Sequence, residues 1–225
     1  MGIVTAIADI TALDDEKILG ALIGDLEKET ADSLSDIKNS SVRAEKAAAY
    51  MLAGFLYSEY SAKNISLRDG LTCIDSDIIK CQGKDYPGIR HEASGRPYLE
   101  GIDDLFISIS HTKDMVMCSL SDVPSGVDIQ KHVNMKADIA GRFFPEDEAA
   151  YLKSADASEN DFFDLWCMHE AYVKYTGRGF SEGFKDISFI KVLELTIGEA
   201  SAYEGYFAGR VKVPAGYSGG VIWRR

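Results

Sequence analysis

Hydrophobic positions along this 225-residue chain change their spacing several times, and each change predicts an element. In residues 12–30, Leu13, Ile18, Leu19, Leu22, Ile23 and Leu26 recur near helical period and predict one amphipathic helix. Residues 42–61 are apolar over most of their circumference and predict a mostly buried helix, with Ser40-Ser41 as its cap. The middle of the chain shortens into β-branched or alternating runs at 73–79, 105–110, 115–120 and 126–130, separated by turn residues, and these predict strands. Two short helices are expected at 136–144 and 146–153, with Pro145 in the first turn of the second. A long helix over 159–176 should end in a cap loop at 177–179. Strands around 186–195, 202–211 and 220–225 complete the chain.

Each half thus holds a long helix and several strands, joined near Pro124-Ser125-Gly126. The expected fold class is α+β, a weak pseudo-duplication of halves 1–123 and 124–225. Acidic residues outnumber basic ones 36 to 24, a formal charge of −12 that opposes binding to nucleic acid or anionic membrane. An anionic ligand therefore has to meet a local cluster of basic groups. The apolar run at 47–57 is far short of the roughly 20 residues a membrane-spanning helix needs. The N-terminus lacks the basic stretch of a signal peptide, and Ala6 breaks the myristoylation pattern. Cys73, Cys81, Cys118 and Cys167 have no CxxC spacing and read as buried free thiols, so a cytoplasmic location is expected.

Two stretches carry possible chemistry. In FISISHTKDMVMCSLSDVPSGVDIQ a strand ends at His111, and a later strand sets Asp128 opposite in facing to Val127 and Ile129, on the side of Gly126 and Gln130. Alone, His111 reads more readily as a hydrogen-bonded strand end than as a ligand, and Asp128 equally as a strand-end turn or cap residue. In WCMHEAYVK, Trp166, Glu170 and Lys174 recur at four-residue steps. Glu170–Lys174 taken alone fits an ordinary solvated ion pair, and Trp166 a core residue. His169-Glu170 does not open a zinc HExxH motif, because the fifth position is Val173. GRGFSEG at 177–183 has the wrong spacing for a dinucleotide loop, and neither GxxxxGK[ST] nor GxSxG occurs.

Read in order, Gly95-Arg96-Pro97, FISISH, GVDI and then W-x-x-x-E-A-x-x-K form a series. In that order the chain resembles the Sfp-type 4′-phosphopantetheinyl transferases, in the variant group whose helix reads W-x-x-K-E-A-x-x-K. The resemblance implies a pseudo-dimer of two similar α+β halves with coenzyme A in the cleft between them. It implies transfer of the phosphopantetheine arm of coenzyme A to a serine of an acyl or peptidyl carrier protein, with release of 3′,5′-ADP. Asp128 and Glu170 match the family's Mg²⁺ carboxylates, Gln130 stands where relatives often have a third, and Lys174 matches the pyrophosphate lysine. Glu170 also matches the group thought to take the serine proton. Arg96 and Pro97 match G-[KR]-P, and His111, flanked by Ser110 and Thr112, matches the histidine that meets the nucleotide phosphates. Lys38, Arg43 and Lys46 are candidates for earlier basic contacts and fit solvated helix charges as well.

Two positions depart from the pattern. Gln130 lacks the charge of the usual glutamate, and His169 replaces a lysine, which would make activity pH-sensitive if that position supports phosphate binding. These departures leave room for a weak or inactive relative that binds coenzyme A or a carrier protein. A further alternative is an unrelated α+β domain. A monomer is expected, and residues 142–152 are a candidate docking patch for the carrier protein.

Overall fold

A computed structural model describes residues 2–68, 70–81, 87–133, 140–177, 184–185 and 187–225. The chain forms two compact units, Met1–Pro124 and Ser125–Arg225.

The first unit is built on a four-stranded sheet. Strand β1 (Ile3–Asp9) pairs in parallel with β2 (Leu71–Asp77) and antiparallel with β6 (Met115–Ser121), and β6 pairs with the edge strand β5 (Phe106–Thr112). The order is β2-β1-β6-β5. Sequence reading missed β1 because six of its seven residues are buried, so IVTAIAD shows no clean alternation. Helix α3 (Ser40–Ser61) packs on β6, and Ala44, Ala47, Ala48, Ala49 and Ala53 are buried along it. Small side chains allow close approach: the Cys118 thiol of β6 lies 3.3 Å from the Ala49 carbonyl. The cap is Asn39 rather than Ser40-Ser41, its side chain accepting the Val42 N–H.

The helix expected over 12–30 is instead three pieces: a 3-10 turn at Thr11–Asp14, α1 (Glu16–Gly24) and α2 (Lys28–Ser35). Asp15 accepts the N–H groups of Lys17 and Ile18, and Glu27 those of Glu29 and Thr30, so two side-chain caps restart the chain where periodicity alone would continue it. A small hairpin, β3 (Ile89–His91) and β4 (Pro97–Leu99), leads into β5. Residues 78–81, partly within the strand expected at 73–79, form a 3-10 turn.

The second unit holds a wholly antiparallel sheet in the order β7-β10-β9-β8, from β7 (Ser125–Lys131), β8 (Ala200–Tyr203), β9 (Tyr206–Arg210) and β10 (Tyr217–Arg224). The single strand expected at 202–211 is thus a hairpin turning at Gly205, whose φ of 83° suits only glycine without strain. The strand expected at 186–195 is a 3-10 turn at Ile190–Glu194, and Asp186 lies outside the described residues. Phe189 donates its N–H to the buried Glu148 carboxylate, so that backbone pairs with a side chain instead of a strand.

Helix α4 (Ala140–Phe143) covers the described end of the helix expected at 136–144, and residues 136–139 lie outside the described residues. Helix α5 (Glu146–Tyr151) has Pro145 at its N-cap rather than in its first turn. Helix α6 (Glu159–Thr176) has the expected bounds, opened by Asp161 accepting the Ser158 N–H and closed by Gly177 at φ 70°. Residues 178 and 179 of the expected cap loop lie outside the described residues. All four cysteines are free; Cys81, Cys118 and Cys167 are buried as expected, whereas Cys73 is half-buried. No helix among the described residues is long and apolar enough to cross a membrane.

Candidate active site

Strand β7 sets the site by alternation. Val127 and Ile129 are buried on one face, while Gly126, Asp128 and Gln130 share the other. That second face meets α6 at very short range. A Cβ on Gly126 would stand 2.0 Å from the Ala171 carbonyl oxygen and 2.6 Å from the Tyr175 nitrogen. On β10, Gly220 is paired with Asp128, and a Cβ there would stand 2.8 Å from the Cys167 carbonyl carbon. Two glycines on adjacent strands thus let the helix backbone settle onto the sheet, where any side chain would hold it off.

The consequence is a charged cluster. Lys174 donates to Asp128 Oδ1 at 2.8 Å and to the Val127 carbonyl at 3.0 Å. Its strong partner is therefore the strand aspartate, not Glu170 one turn earlier on the helix. Asp128 is 6% exposed, so this is a nearly buried ion pair rather than a solvated one. Glu170 is half-buried, and burial, reinforced by the Asp128 charge and opposed by Lys174, pushes its carboxyl up to about 7. The Cys167 thiol is pushed well up by burial, with the Asp128 and Asp164 charges adding to it. Gln130 is half-buried on the same face of β7 and lies opposite Ser218 of β10.

Sequence reasoning missed the polar network beyond that point. Asp164, buried on α6, accepts from Ser218 and from Arg210, and Ser218 Oγ lies 2.9 Å from His132 Nε2. The available signal was the two-residue step 128, 130, 132, which continues one residue past the end of β7 and would put His132 on the side of Asp128.

In the first unit, His111 is exposed at the end of β5, with Nδ1 3.2 Å from Glu45 Oε2 on α3. Alternation puts Ser110 and Thr112 on the opposite face of that strand from His111. Ser110 is buried and Thr112 half-buried. Arg96 packs its guanidinium over the Phe106 ring, and its buried Nη2 has no hydrogen-bond partner among the described residues. Pro97, which follows it, opens β4. Arg43 is already engaged: it clamps Glu16 at 2.9 and 3.0 Å and donates to the Ile37 carbonyl.

His169 is wholly buried, with Nε2 2.7 Å from Glu148 Oε2 and its ring stacked on Phe184. It belongs to the aromatic core, so the pH-sensitive phosphate contact considered for that position is replaced by an internal pair. The aromatics of the candidate docking patch are also inward-looking: Phe144 is 2% exposed, and Phe143 and Phe144 both pack against Trp166 and Phe184. Trp166 joins this apolar cluster, as its core reading expected. A cavity of about 730 Å³ lined by Phe144, Pro145, Lys153 and Lys185 includes neither Asp128, Glu170 nor Lys174 in its wall.

Among the described residues, no three His, Cys, Asp or Glu side chains gather as a metal cage. Asp128, Glu170 and the Gln130 amide nevertheless supply hard oxygens. Two carboxylates whose charges oppose each other suit an ion such as Mg²⁺, which commonly takes one or two carboxylates and completes its shell with phosphate and water.

Residues 124–213 match the 4′-phosphopantetheinyl transferase superfamily. The chain is similar to the 4′-phosphopantetheinyl transferase psf-1 of Bacillus pumilus, 37% identical over 99 residues, 43% of this chain and 42% of that protein. It is also similar to a 4′-phosphopantetheinyl transferase of Bacillus subtilis, 35% identical over 112 residues, 48% of this chain and 50% of the relative. The 4′-phosphopantetheinyl transferase Sfp of Bacillus subtilis (strain 168) is 35% identical over 89 residues, 39% of this chain and 40% of the relative. The chain spans half or less of the length of each of these curated relatives. The superfamily match includes Asp128, Gln130, Glu170 and Lys174, whereas Arg96 and His111 precede it.

Proposed function

We propose that this chain, whose residues 124–213 match the 4′-phosphopantetheinyl transferase superfamily, moves the phosphopantetheine arm of coenzyme A onto a serine hydroxyl of an acyl or peptidyl carrier protein. The serine oxygen forms the new P–O bond, the pyrophosphate P–O–P bond breaks, and 3′,5′-ADP leaves. The observation that carries this reading is the β7–α6 cluster, in which Asp128 holds Lys174 while Glu170 keeps an unusually high proton affinity.

Glu170 accepts the serine proton. Burial and the Asp128 charge raise its carboxyl in the absence of a cation, and a cation bound beside it would favour the ionised form that accepts a proton. Lys174, fixed by Asp128 and the Val127 carbonyl, places a point charge for pyrophosphate oxygens. Asp128 and Glu170, with the Gln130 amide, would hold Mg²⁺, which when bound supplies neutralisation of charge on the leaving phosphate. Replacing a third carboxylate by Gln130 removes one negative charge, so Mg²⁺ binding should be weaker than in a three-carboxylate site. Arg96 and His111 contact the nucleotide phosphates, as the resemblance implies, supported for His111 by its exposure at the end of β5. A pseudo-duplicated layout belongs to the same reading, supported by the long helix and four-stranded sheet in each unit.

The test is mass spectrometry of an apo carrier protein incubated with this protein, coenzyme A and Mg²⁺. The carrier should gain one phosphopantetheine, and Glu170→Gln should slow that gain by about 100-fold or more. Binding of coenzyme A without any mass gain in the unmodified protein would instead identify an inactive relative, and failure to bind 3′,5′-ADP would remove the reading.

A further inference from the structure

In the first unit, outside the β7–α6 cluster, Glu45 and His111 form an ion pair. Glu45 lies on α3 and His111 at the end of β5, which packs against that helix. The Glu45 side chain is 16% exposed and His111 is 42% exposed, so the carboxylate is the inner member and the imidazole the outer one. Both Glu45 oxygens are used: Oε1 receives the Ser41 hydroxyl at 3.4 Å, and Oε2 faces His111 Nδ1 at 3.2 Å. The Nδ1–Oε2 approach is an ion-pair distance, and because a carboxylate only accepts, a hydrogen bond closing it has to come from Nδ1–H. Nε2 is then left as the ring atom available to a ligand.

We propose that Glu45 is a positioning residue that fixes the His111 ring through Nδ1, so that Nε2–H is presented to a phosphate of coenzyme A. The inference rests on the coenzyme A reading above and adds a residue to it. The imidazolium donates from both nitrogens at once, to Glu45 on the inside and to a phosphate oxygen on the outside. Glu45 thus orients the donor and balances its charge, as carboxylates do for ligand-bearing histidines elsewhere. Tying α3 to β5 is the structural alternative, and it predicts loss of stability without selective loss of nucleotide affinity.

Calorimetric titration of the full chain with 3′,5′-ADP separates the two. His111→Ala should raise Kd roughly tenfold, Glu45→Ala should do nearly the same, and the double variant should be no worse than either single one. Glu45→Gln should recover most of the affinity, because its amide oxygen still accepts from Nδ1. Unchanged affinity in Glu45→Ala, or a double variant that loses the product of the two single effects, overturns the role of Glu45 and leaves the transferase reading standing. Absence of 3′,5′-ADP binding to the unmodified protein removes both. Should Glu45→Ala fail to fold, imidazole ¹⁵N spectra of the unmodified protein decide: Nδ1 of His111 must be protonated in the 3′,5′-ADP complex, and a bare Nδ1 there overturns the proposal.

Discussion

The two units solve the same packing problem in opposite ways. Each lays one long helix on a four-stranded sheet. In the first unit the small residues are on the helix, the alanines of α3, and the interface is almost wholly apolar. In the second they are on the sheet, Gly126 and Gly220, and the helix brings Asp164, Cys167 and Lys174 to the seam. Apolar burial supplies stability without direction. A seam of paired polar groups supplies fixed charges, at the risk that removing one partner strands the other. The sheets differ too: the first is mixed, with β1 and β2 parallel, and the second antiparallel throughout. The unit whose helix interface carries charge is also the one covered by the superfamily match.

The comparison can be broken most forcefully at His169. His169→Ala leaves the Glu148 carboxylate buried without its imidazole, and should destabilise the protein by about 3–5 kcal/mol in urea denaturation. A loss below about 1 kcal/mol would show that the internal pair contributes little. Next comes Gly126→Ala, whose methyl meets helix backbone rather than a flexible side chain. It should cost about 3 kcal/mol and lower the proposed transferase activity, because α6 must retreat from Asp128.

Glu170→Gln tests the charge of the seam through pH. The Glu170 carboxyl rises from an ordinary value of 4.5 to about 7 in the folded protein, so the folded state binds this proton more tightly than the unfolded chain. The resulting stabilisation is complete below pH 4.5 and is lost as pH rises through about 7. Without divalent cations, Glu170→Gln should therefore exceed the unmodified protein in stability at pH 8 by about 1–2 kcal/mol, a figure reduced for the partial exposure of the side chain. That advantage should vanish near pH 4, and melting curves at the two pH values measure it. The mildest effect is Gly20→Ala on α1, where a Cβ meets nothing within 4 Å. It should stabilise by about 0.5–1 kcal/mol through helix propensity, opposite in sign to the same exchange at Gly126.

Helix α6 was legible because its apolar period and the stop at Gly177 agree, and β5 to β7 were legible from apolar runs between turn residues. Strand β1 was not, since a strand buried on both faces has no alternation to read. The division of 12–30 turned on Asp15 and Glu27, two charged side chains that read as solvated surface until they are seen to cap backbone N–H groups. Likewise 186–195 has strand-like composition, but the N–H of Phe189 is taken by a carboxylate 41 residues away.

For the site, the sequence determined which residues could act: their types, their order, and the face of β7 that Asp128 shares with Gly126 and Gln130. Period and alternation are local, written in neighbouring residues. Only the tertiary structure decided the partnerships. Lys174 turns to Asp128 rather than Glu170, Glu170 acquires a high proton affinity, Arg43 is taken by Glu16, and His169 goes inward while its neighbour stays at the site. Each of these depends on the distance between two elements and on the water excluded between them. At the seam that distance follows from two missing side chains, at Gly126 and Gly220, whose importance shows only once a helix is laid across them.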